Sequence, residues 1–213
     1  MHPTGSAGLG PNDADRPAQT VKPPTPYHSL RDRWRMHCLR RFVVTSMSQR
    51  LPFDHAAYEQ RSREGPCFVC AVADEVPAYR DPTEMIYEDT DVLIFLNRYP
   101  TLRGYTLVCP RRHIERVIGD LTEQEYLQLQ RWVYRVGRAV QQVVPTERLY
   151  LLSLGSQQGN RHVHWHVAPL PPGVPYEEQQ LAALSMRRGI LSIPPAEMAD
   201  LAQQIRAHLL KLD

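Results

Sequence analysis

Three histidines at every second position dominate the chemistry that this sequence can support. His162, His164 and His166 alternate with apolar residues within the segment 161–168. Because successive side chains of a strand point to opposite faces, the pattern predicts a strand with three imidazoles on one face and an apolar core face. Neighbouring imidazoles on such a strand are about 6.5–7 Å apart. Buried polar groups need partners, so we expect the histidine face to meet solvent or ligands.

A row of histidines has several chemical uses. An imidazole titrates near neutral pH, ligates metals, attacks phosphorus in its neutral form and donates to anions when protonated. The polar loop 155–160 precedes the row, and its backbone amides could bind a phosphate. Many hairpins have such loops, so the histidines and not the loop indicate a functional site.

Cys67 and Cys70 form a C-x-x-C pair with three interpretations: half of a zinc site, a redox pair, or two incidental cysteines. A thioredoxin-like redox motif follows a strand and opens a helix. Here the pair follows the polar segment 61–66, which makes the redox interpretation the weakest. No second C-x-x-C is present, so a zinc site would need histidines, and His113 and His162 would complete a Cys2His2 set.

The elements that must position these residues follow an α+β pattern. Thr122 and Glu125 fit a capping box that opens a long helix, and apolar residues recur at helical spacing up to Pro145. The sequence predicts strands over 85–88, 92–96, 105–109, 149–154 and 163–168, and helices over 122–143, 176–187 and 195–210. The predicted order along the chain is strands, a helix, further strands and terminal helices. This order favours an antiparallel sheet over a doubly wound parallel sheet.

Composition excludes several classes of protein. The chain has 213 residues with 25 Lys and Arg against 23 Asp and Glu, and its net charge of +2 is small for a dedicated nucleic-acid binder. No apolar run approaches the about 20 residues of a membrane span, and no apolar segment of a secretory signal is found at the N-terminus. We therefore expect a cytoplasmic protein without a membrane partner, whose four cysteines stay reduced.

Residues 1–46 differ from the rest of the chain. They contain six Pro and three Gly, and their seven basic residues against three acidic ones hold the whole basic excess. This composition predicts a disordered basic arm. It is either a tether for an anion or a partner, or an extension without function, and Met47 could be the biological start.

The histidine row and its upstream segments resemble the histidine-triad (HIT) superfamily of nucleotide hydrolases and transferases. The stretch 162–168 matches the signature H-x-H-x-H-x-x, while 95–100 and 104–113 resemble the family's nucleoside-binding strand, its turn and the strand that follows. The resemblance covers about 67–170 and implies a HIT-like fold. It divides the chain into the arm 1–46, a HIT domain over 47–172 and a C-terminal helical extension over 173–213.

The resemblance assigns roles to the histidines. His164, the middle histidine, is implied to attack the α-phosphorus of a nucleotide and to form a nucleotidyl-histidine. His166 is implied to contact phosphate and to help the leaving group depart. Zinc-bearing members add a C-x-x-C and a histidine after the third strand, which here implies a zinc ion ligated by Cys67, Cys70, His113 and His162. Four protein ligands leave no open position, so this zinc would be structural.

Substrate contacts are also implied by the resemblance. Asn97 lies where the family hydrogen-bonds the ribose hydroxyls, and the loop 153–160 lies where it contacts phosphate. The candidate substrate-binding residues are Asn97, Ser153, Ser156, Gln157 and Gly159. This loop is shorter than in well-known members, and Ser153 stands where the family suggests Asn.

The third histidine bears on the choice between activities. Members similar to galactose-1-phosphate uridylyltransferase have Gln there, so His166 favours a hydrolase, although some dinucleoside polyphosphate phosphorylases also have His. The expected substrates are dinucleoside polyphosphates such as diadenosine tetraphosphate, or nucleoside phosphoramidates. The alternatives are a phosphorylase or nucleotidylyltransferase, or a nucleotide-binding protein with little turnover. The family further implies a homodimer.

Overall fold

The computed structural model describes residues 49–212, so the predicted arm lies outside the described residues. The strands are β1 (Arg50–Leu51), β2 (Met85–Glu88), β3 (Val92–Leu96), β4 (Thr106–Pro110), β5 (Arg148–Ser153), β6 (Trp165–Leu170) and β7 (Ile190–Leu191). The helices are α1 (His55–Glu64), α2 (Phe68–Ala73), α3 (Pro77–Arg80), α4 (Val117–Asp120), α5 (Glu123–Val143), α6 (Leu181–Leu184) and α7 (Pro195–Leu209).

Five antiparallel strands form the central sheet in the order β2-β3-β4-β6-β5. The β2–β3 turn is closed by Asp89, whose Oδ1 accepts the amides of Asp91 and Val92 at 2.8 Å each. This side-chain turn explains why the short hairpin forms where the sequence predicts it. The predicted α+β class with an antiparallel sheet is confirmed.

Each face of the sheet has its own core. Ile94, Val108 and Trp165 lie on the face that packs against α5 and α7. Phe95 and Leu107 lie on the other face, which packs against α2. Because side chains alternate along β3, β4 and β6, one face of the sheet packs against α5 and α7. The histidines lie on the other face.

The long helix α5 begins as the sequence predicts. Thr122 Oγ1 accepts the Glu125 amide at 3.2 Å, and Glu125 Oε2 accepts the Thr122 amide at 2.7 Å. The two bonds satisfy amides that have no partner at the start of a helix. The apolar stripe of α5 packs on the sheet through Leu129, Val133, Val136 and Val140.

The structure corrects two predicted elements. A continuous helix over 176–187 is wrong, because two 3-10 turns flank the short α6 and Gln180 has a φ of +56°, which a helix excludes. The histidine strand begins later than predicted, at Trp165. The reason is that the Val163 amide donates to the carbonyl of Ile114 at 2.8 Å, outside the β4 ladder.

The segments that flank the sheet pack onto it or onto each other. Helix α7 contributes Leu201, Ile205 and Leu209 to the same core as α5. Strand β7 pairs with β1 in a separate two-stranded sheet. Within residues 49–212, none of the helices combines the length and the apolar character needed to cross a membrane.

We predict that α7 contributes to the stability of the whole fold. Ile205 is fully buried, so Ile205→Ala leaves a cavity and is expected to lower the free energy of unfolding by about 2–5 kcal/mol in urea denaturation. Gln203→Ala on the exposed side of α7 is the control and should leave it nearly unchanged. Equal stability of the two variants would show that α7 is only an appendage.

Candidate functional site

The histidine row sits at the start of β6 and in the residues just before it. Val163, Trp165 and Val167 belong to the α5 core, as the alternating pattern predicts. His164 and His166 turn to the opposite face, where their ring centroids are 4.8 Å apart. His162 and His164 are buried and His166 is half-buried, so the first two histidines contact protein groups and not bulk solvent.

The first histidine joins the two cysteines and a fourth side chain in one cluster. The ligand atoms of Cys67, Cys70, His113 and His162 all lie within 4.8 Å of one another. Cys67 Sγ is 3.3 Å from His162 Nδ1, and Cys70 Sγ is 3.2 Å from His113 Nδ1 and 3.6 Å from His162 Nδ1. The four predicted metal ligands are therefore brought together.

These distances fit a tetrahedral zinc ion. Zn–S bonds of about 2.3 Å and Zn–N bonds of about 2.0–2.1 Å place a sulfur and a nitrogen about 3.6 Å apart. Both histidines offer Nδ1, and each Nε2 has its own partner: the Pro110 carbonyl at 2.9 Å for His162 and Glu115 Oε1 at 3.3 Å for His113. Such outer contacts fix the tautomer in which Nδ1 can bind a metal.

Without a metal ion, Cys70 and His162 of the cluster are both held in their neutral forms. Burial, followed by the neighbouring Cys67, raises the pKa of Cys70 to about 12, so this thiol resists deprotonation without a metal. Burial lowers the pKa of His162 to about 4, which keeps its imidazole neutral, as ligation requires. Because all four positions are protein ligands, the site is of the structural type.

His164 has one ring nitrogen bound to the backbone and the other free. Its Nδ1–H donates to the carbonyl oxygen of His162 at 2.6 Å, which leaves the lone pair of Nε2 free. The ring of Phe68 lies edge-on to it at 5.6 Å between centroids. Burial lowers the pKa of His164, so its ring is neutral at neutral pH.

His166 has one nitrogen engaged and the other without a partner. Tyr105 Oη lies 3.0 Å from His166 Nδ1, and burial raises the pKa of Tyr105, which keeps the hydroxyl protonated and able to donate. Among the described residues, His166 Nε2 is buried and forms no hydrogen bond of good geometry, although the Leu154 backbone lies near enough to oppose part of the fall in the pKa of this ring. A buried orphan nitrogen is costly unless a ligand engages it.

Burial, followed by the neighbouring His164, lowers the pKa of His166 to about 3. The free protein therefore has a neutral His166 at neutral pH. An anionic phosphate placed between the two rings would favour the protonated form and raise this pKa. The protonated state that the family role requires thus depends on bound substrate.

Both histidines open into a cavity of about 310 Å³. Its apolar lining suits a planar base and consists of Phe68, Val72, Ala78, Tyr79, Phe95 and Leu107. Asn97 also lines the cavity, although its Oδ1 accepts the Tyr99 amide at 2.9 Å, so its amide nitrogen is the group left for a ligand.

The other predicted substrate-binding residues do not line this cavity. Ser153 Oγ donates to the His164 carbonyl at 2.9 Å and so helps to fix the backbone of that histidine. Ser156 and Gln157 line a neighbouring depression with His162. A Cβ on Gly159 would lie 3.1 Å from the Ser62 carbonyl oxygen, so this residue permits close packing against α1. Their direct contact with substrate stays a prediction.

Several residues of the site were not predicted. The sequence pattern places Tyr105 only in a strand, whereas its hydroxyl in the structure contacts His166 Nδ1. Asn160 lines the cavity with a φ of +54°, a conformation that Asn tolerates better than most residues. Helix α1 also lines the cavity through Tyr58, Arg61 and Ser62, and because it buries none of its residues it shows no core stripe to detect.

Comparison with known sequences identifies the central part of the chain. A HIT-domain family model matches residues 79–172. An uncharacterised HIT-like protein of Mycobacterium tuberculosis is 34% identical over 107 residues, which cover 49% of this chain and 71% of that protein. Protein hit of Bacillus subtilis is 29% identical over 107 residues, which cover 48% and 70%.

Solved structures share the fold. A hypothetical histidine triad nucleotide-binding protein from Sulfolobus tokodaii has a TM-score of 0.54 at 24% identity, covering 68% of this chain and 93% of that one. A zinc-bound histidine triad family protein from Mycobacterium smegmatis also has a TM-score of 0.54 at 24% identity, covering 69% and 95%. The predicted HIT-like fold is thereby confirmed.

We predict about one zinc ion per chain. In Cys70→Ser, elemental analysis of the purified, untagged protein should find no zinc. The melting temperature should also fall, because the other three ligands are no longer held together by the ion. Cys109→Ala, which removes a buried thiol outside the cluster, is the control and should keep the metal. A wild-type protein without metal and indifferent to a chelator would contradict the assignment.

We also predict that Tyr105 sets the tautomer of His166. With its hydroxyl donating to Nδ1, the ring proton should reside on Nε2, and Tyr105→Phe should shift the imidazole toward a mixture of tautomers. Nitrogen-15 NMR of the labelled histidines measures this directly. Tyr134→Phe on the exposed face of α5 serves as the control, and an unchanged His166 spectrum in Tyr105→Phe would refute the role.

Proposed function

The chain belongs to the histidine-triad family, and from this premise we propose that it is a nucleotide hydrolase acting at an α-phosphorus through a nucleotidyl-histidine. The observation that supports this most strongly is the state of His164. Its Nδ1–H is engaged by a backbone carbonyl, its ring is neutral, and its Nε2 is free beside the cavity. Neutral imidazole in that orientation is suited to attack phosphorus.

In the first step, Nε2 of His164 forms a bond to the α-phosphorus while the bond from phosphorus to the leaving group breaks. Because His166 Nε2 faces the same cavity without a partner, it is placed to bind the phosphate and to protonate the departing atom. In the second step, His166 takes a proton from a water molecule while the water oxygen attacks the same phosphorus, the P–N bond breaks, and His164 leaves as a neutral imidazole. Splitting the displacement in two gives each step a good nucleophile and a good leaving group.

The substrate proposed is a dinucleoside polyphosphate such as diadenosine tetraphosphate, or a nucleoside phosphoramidate. The apolar part of the cavity would bind the base, and Asn97 would meet the ribose. Positioning supplies much of the rate in phosphoryl chemistry, so these contacts would act by holding phosphorus in line with His164.

We further propose that Cys67, Cys70, His113 and His162 hold zinc in this chain. When bound, the ion supplies a structural crosslink and not Lewis-acid chemistry, since its coordination sphere is complete. The crosslink would fix α2 and the start of the histidine row to each other. The nucleophile is only two residues from this anchor.

A homodimer is proposed as the assembled state. Strand β5 is an edge of the sheet, and it exposes Leu151, while α5 exposes Leu127 and Tyr134. Unpaired strand edges and exposed apolar side chains are typical of surfaces that pair. Analytical ultracentrifugation of the wild type and of Leu151→Lys tests this, and a monomer for both would refute it.

A cytoplasmic location is also proposed, because thiol ligands of a metal stay reduced in that compartment. Cell fractionation tests it. The division into 1–46, 47–172 and 173–213 likewise remains a proposal, and limited proteolysis tests the first boundary. The second boundary is not a break between independent cores, since α7 packs against α5.

We predict that His164→Ala abolishes turnover and leaves nucleotide binding largely intact. The wild type, mixed with diadenosine tetraphosphate or adenosine phosphoramidate and quenched in alkaline denaturant to preserve a P–N bond, should show an adenylyl adduct by intact mass and release AMP. His208→Ala on α7 is the control with a remote imidazole and should behave as the wild type. Full activity in His164→Ala would overturn the mechanism.

Added phosphate separates the alternatives within the same experiment. A hydrolase releases AMP without phosphate, whereas a phosphorylase forms ADP from adenylyl-histidine only when phosphate is present. Binding without an adduct or product from either substrate would favour a nucleotide-binding protein with little turnover.

A further inference from the structure

One wall of the substrate cavity comes from outside the segment that the family model matches. Helix α1 covers residues 55–64, whereas the match begins at residue 79. Tyr58, Arg61 and Ser62 of this helix line the cavity together with His164. The helix therefore adds side chains from outside the matched segment to a site whose central residues follow the family pattern.

Helix α1 is fixed over the cavity by contacts at its side. Asn160 Nδ2 donates to Tyr58 Oη at 2.7 Å, and Gly159 allows Ser62 to approach the same loop. The ring of Phe53 lies 5.3 Å from that of Tyr58 and 5.2 Å from that of Tyr99. The helix is thus tied to the loop before the histidine row and to the turn after β3.

The segment before α1 is held by the far end of the chain. Strand β1 pairs with β7, and the Arg50 guanidinium donates to the carbonyls of Gly189 and Thr101, each at 3.0 Å. Helix α1 thus follows a segment fixed both to the turn between β3 and β4 and to the C-terminal segment.

The charged side chains that line the cavity are all positive. Arg61 and Arg98 both line it, and no Asp or Glu of the described residues does so. Within residues 49–212 neither arginine forms an ion pair, and Arg98 makes only a long approach of 5.8 Å to the Tyr99 ring. By contrast Arg63, on the same helix, pairs with Glu59 at 2.7 Å. Two uncompensated guanidinium groups in one cavity fit a ligand with several negative charges.

An α-phosphate alone does not account for these two charges. That group lies against His164 and His166 in the proposed reaction, so further cations are useful only if the substrate carries more phosphates. The ammonia released from a nucleoside phosphoramidate offers no anion for a guanidinium to bind. The charge of the cavity therefore distinguishes between the two substrate classes.

We infer that Arg61 of α1, with Arg98, binds the phosphates beyond the attacked one and makes the enzyme selective for nucleoside polyphosphates over phosphoramidates. The inference deepens the proposed function and rests on it. Arg61 would be a specificity residue supplied by the N-terminal segment, and Tyr58 would position it through its bond to Asn160.

The test compares two substrates and two arginines. We expect Arg61→Gln and Arg98→Gln each to lower kcat/KM for diadenosine tetraphosphate about tenfold, as a lost charge-assisted bond does, and to change it less than twofold for adenosine phosphoramidate. Arg206→Gln on α7 is the control, because it removes the same charge from an exposed position on the other face of the sheet. Thermal melting verifies that all variants fold.

Equal losses on both substrates, or no loss on either, would overturn the inference while leaving the hydrolase intact. Absence of turnover in the wild type would refute the proposed function, and the inference about Arg61 can then be tested by ligand binding. In the His164→Ala background, calorimetry should show ATP binding more tightly than AMP, and added Arg61→Gln should reduce that ratio about tenfold. A ratio that does not change would show that Arg61 is a solvated surface residue.

Discussion

The carbonyl oxygen of His162 is the point on which the rest of the site depends. It accepts the Nδ1–H of His164 at 2.6 Å, and this bond alone decides which nitrogen of the middle ring is free. The ring of the same residue is part of the Cys2His2 cluster and donates to the Pro110 carbonyl at 2.9 Å. One residue thus links the Cys2His2 cluster to the orientation of the His164 ring through its own backbone, so displacement of the cluster would also reorient that ring.

Burial gives the site both its reactivity and its need for partners. His164 is buried and His166 is half-buried, and this loss of contact with water lowers the pKa of both rings and keeps them neutral. The Nδ1 atoms of these two rings have partners in the His162 carbonyl and the Tyr105 hydroxyl, whereas both Nε2 atoms are left for a ligand. Packing of Trp165 and Val167 on the opposite face of β6 against α5 stabilises the strand and offsets the free-energy cost of burying the histidine rings.

The sequence predicts those parts of the molecule that depend on periodicity or on local chemistry. Alternation placed Val163 and Trp165 in the core, the capping box placed the start of α5, and the C-x-x-C with two histidines formed the predicted cluster. Features set by tertiary contacts were not predictable. The break at Gln180 and the bond from Val163 to Ile114 have no local signal, and α1 has no apolar stripe because it buries no side chain.

The weak burial of α1 has a consequence for how such a protein can change over time. Its residues hold the cavity wall in place through one hydrogen bond and a few ring contacts, and they contribute nothing to either core. Substitutions on this helix can therefore change which ligand the cavity binds without unfolding the protein. Substitutions on β6 would affect both the ligand site and the stability of the fold. The cavity wall formed by α1 is therefore more open to substitution than the strand that carries the histidines.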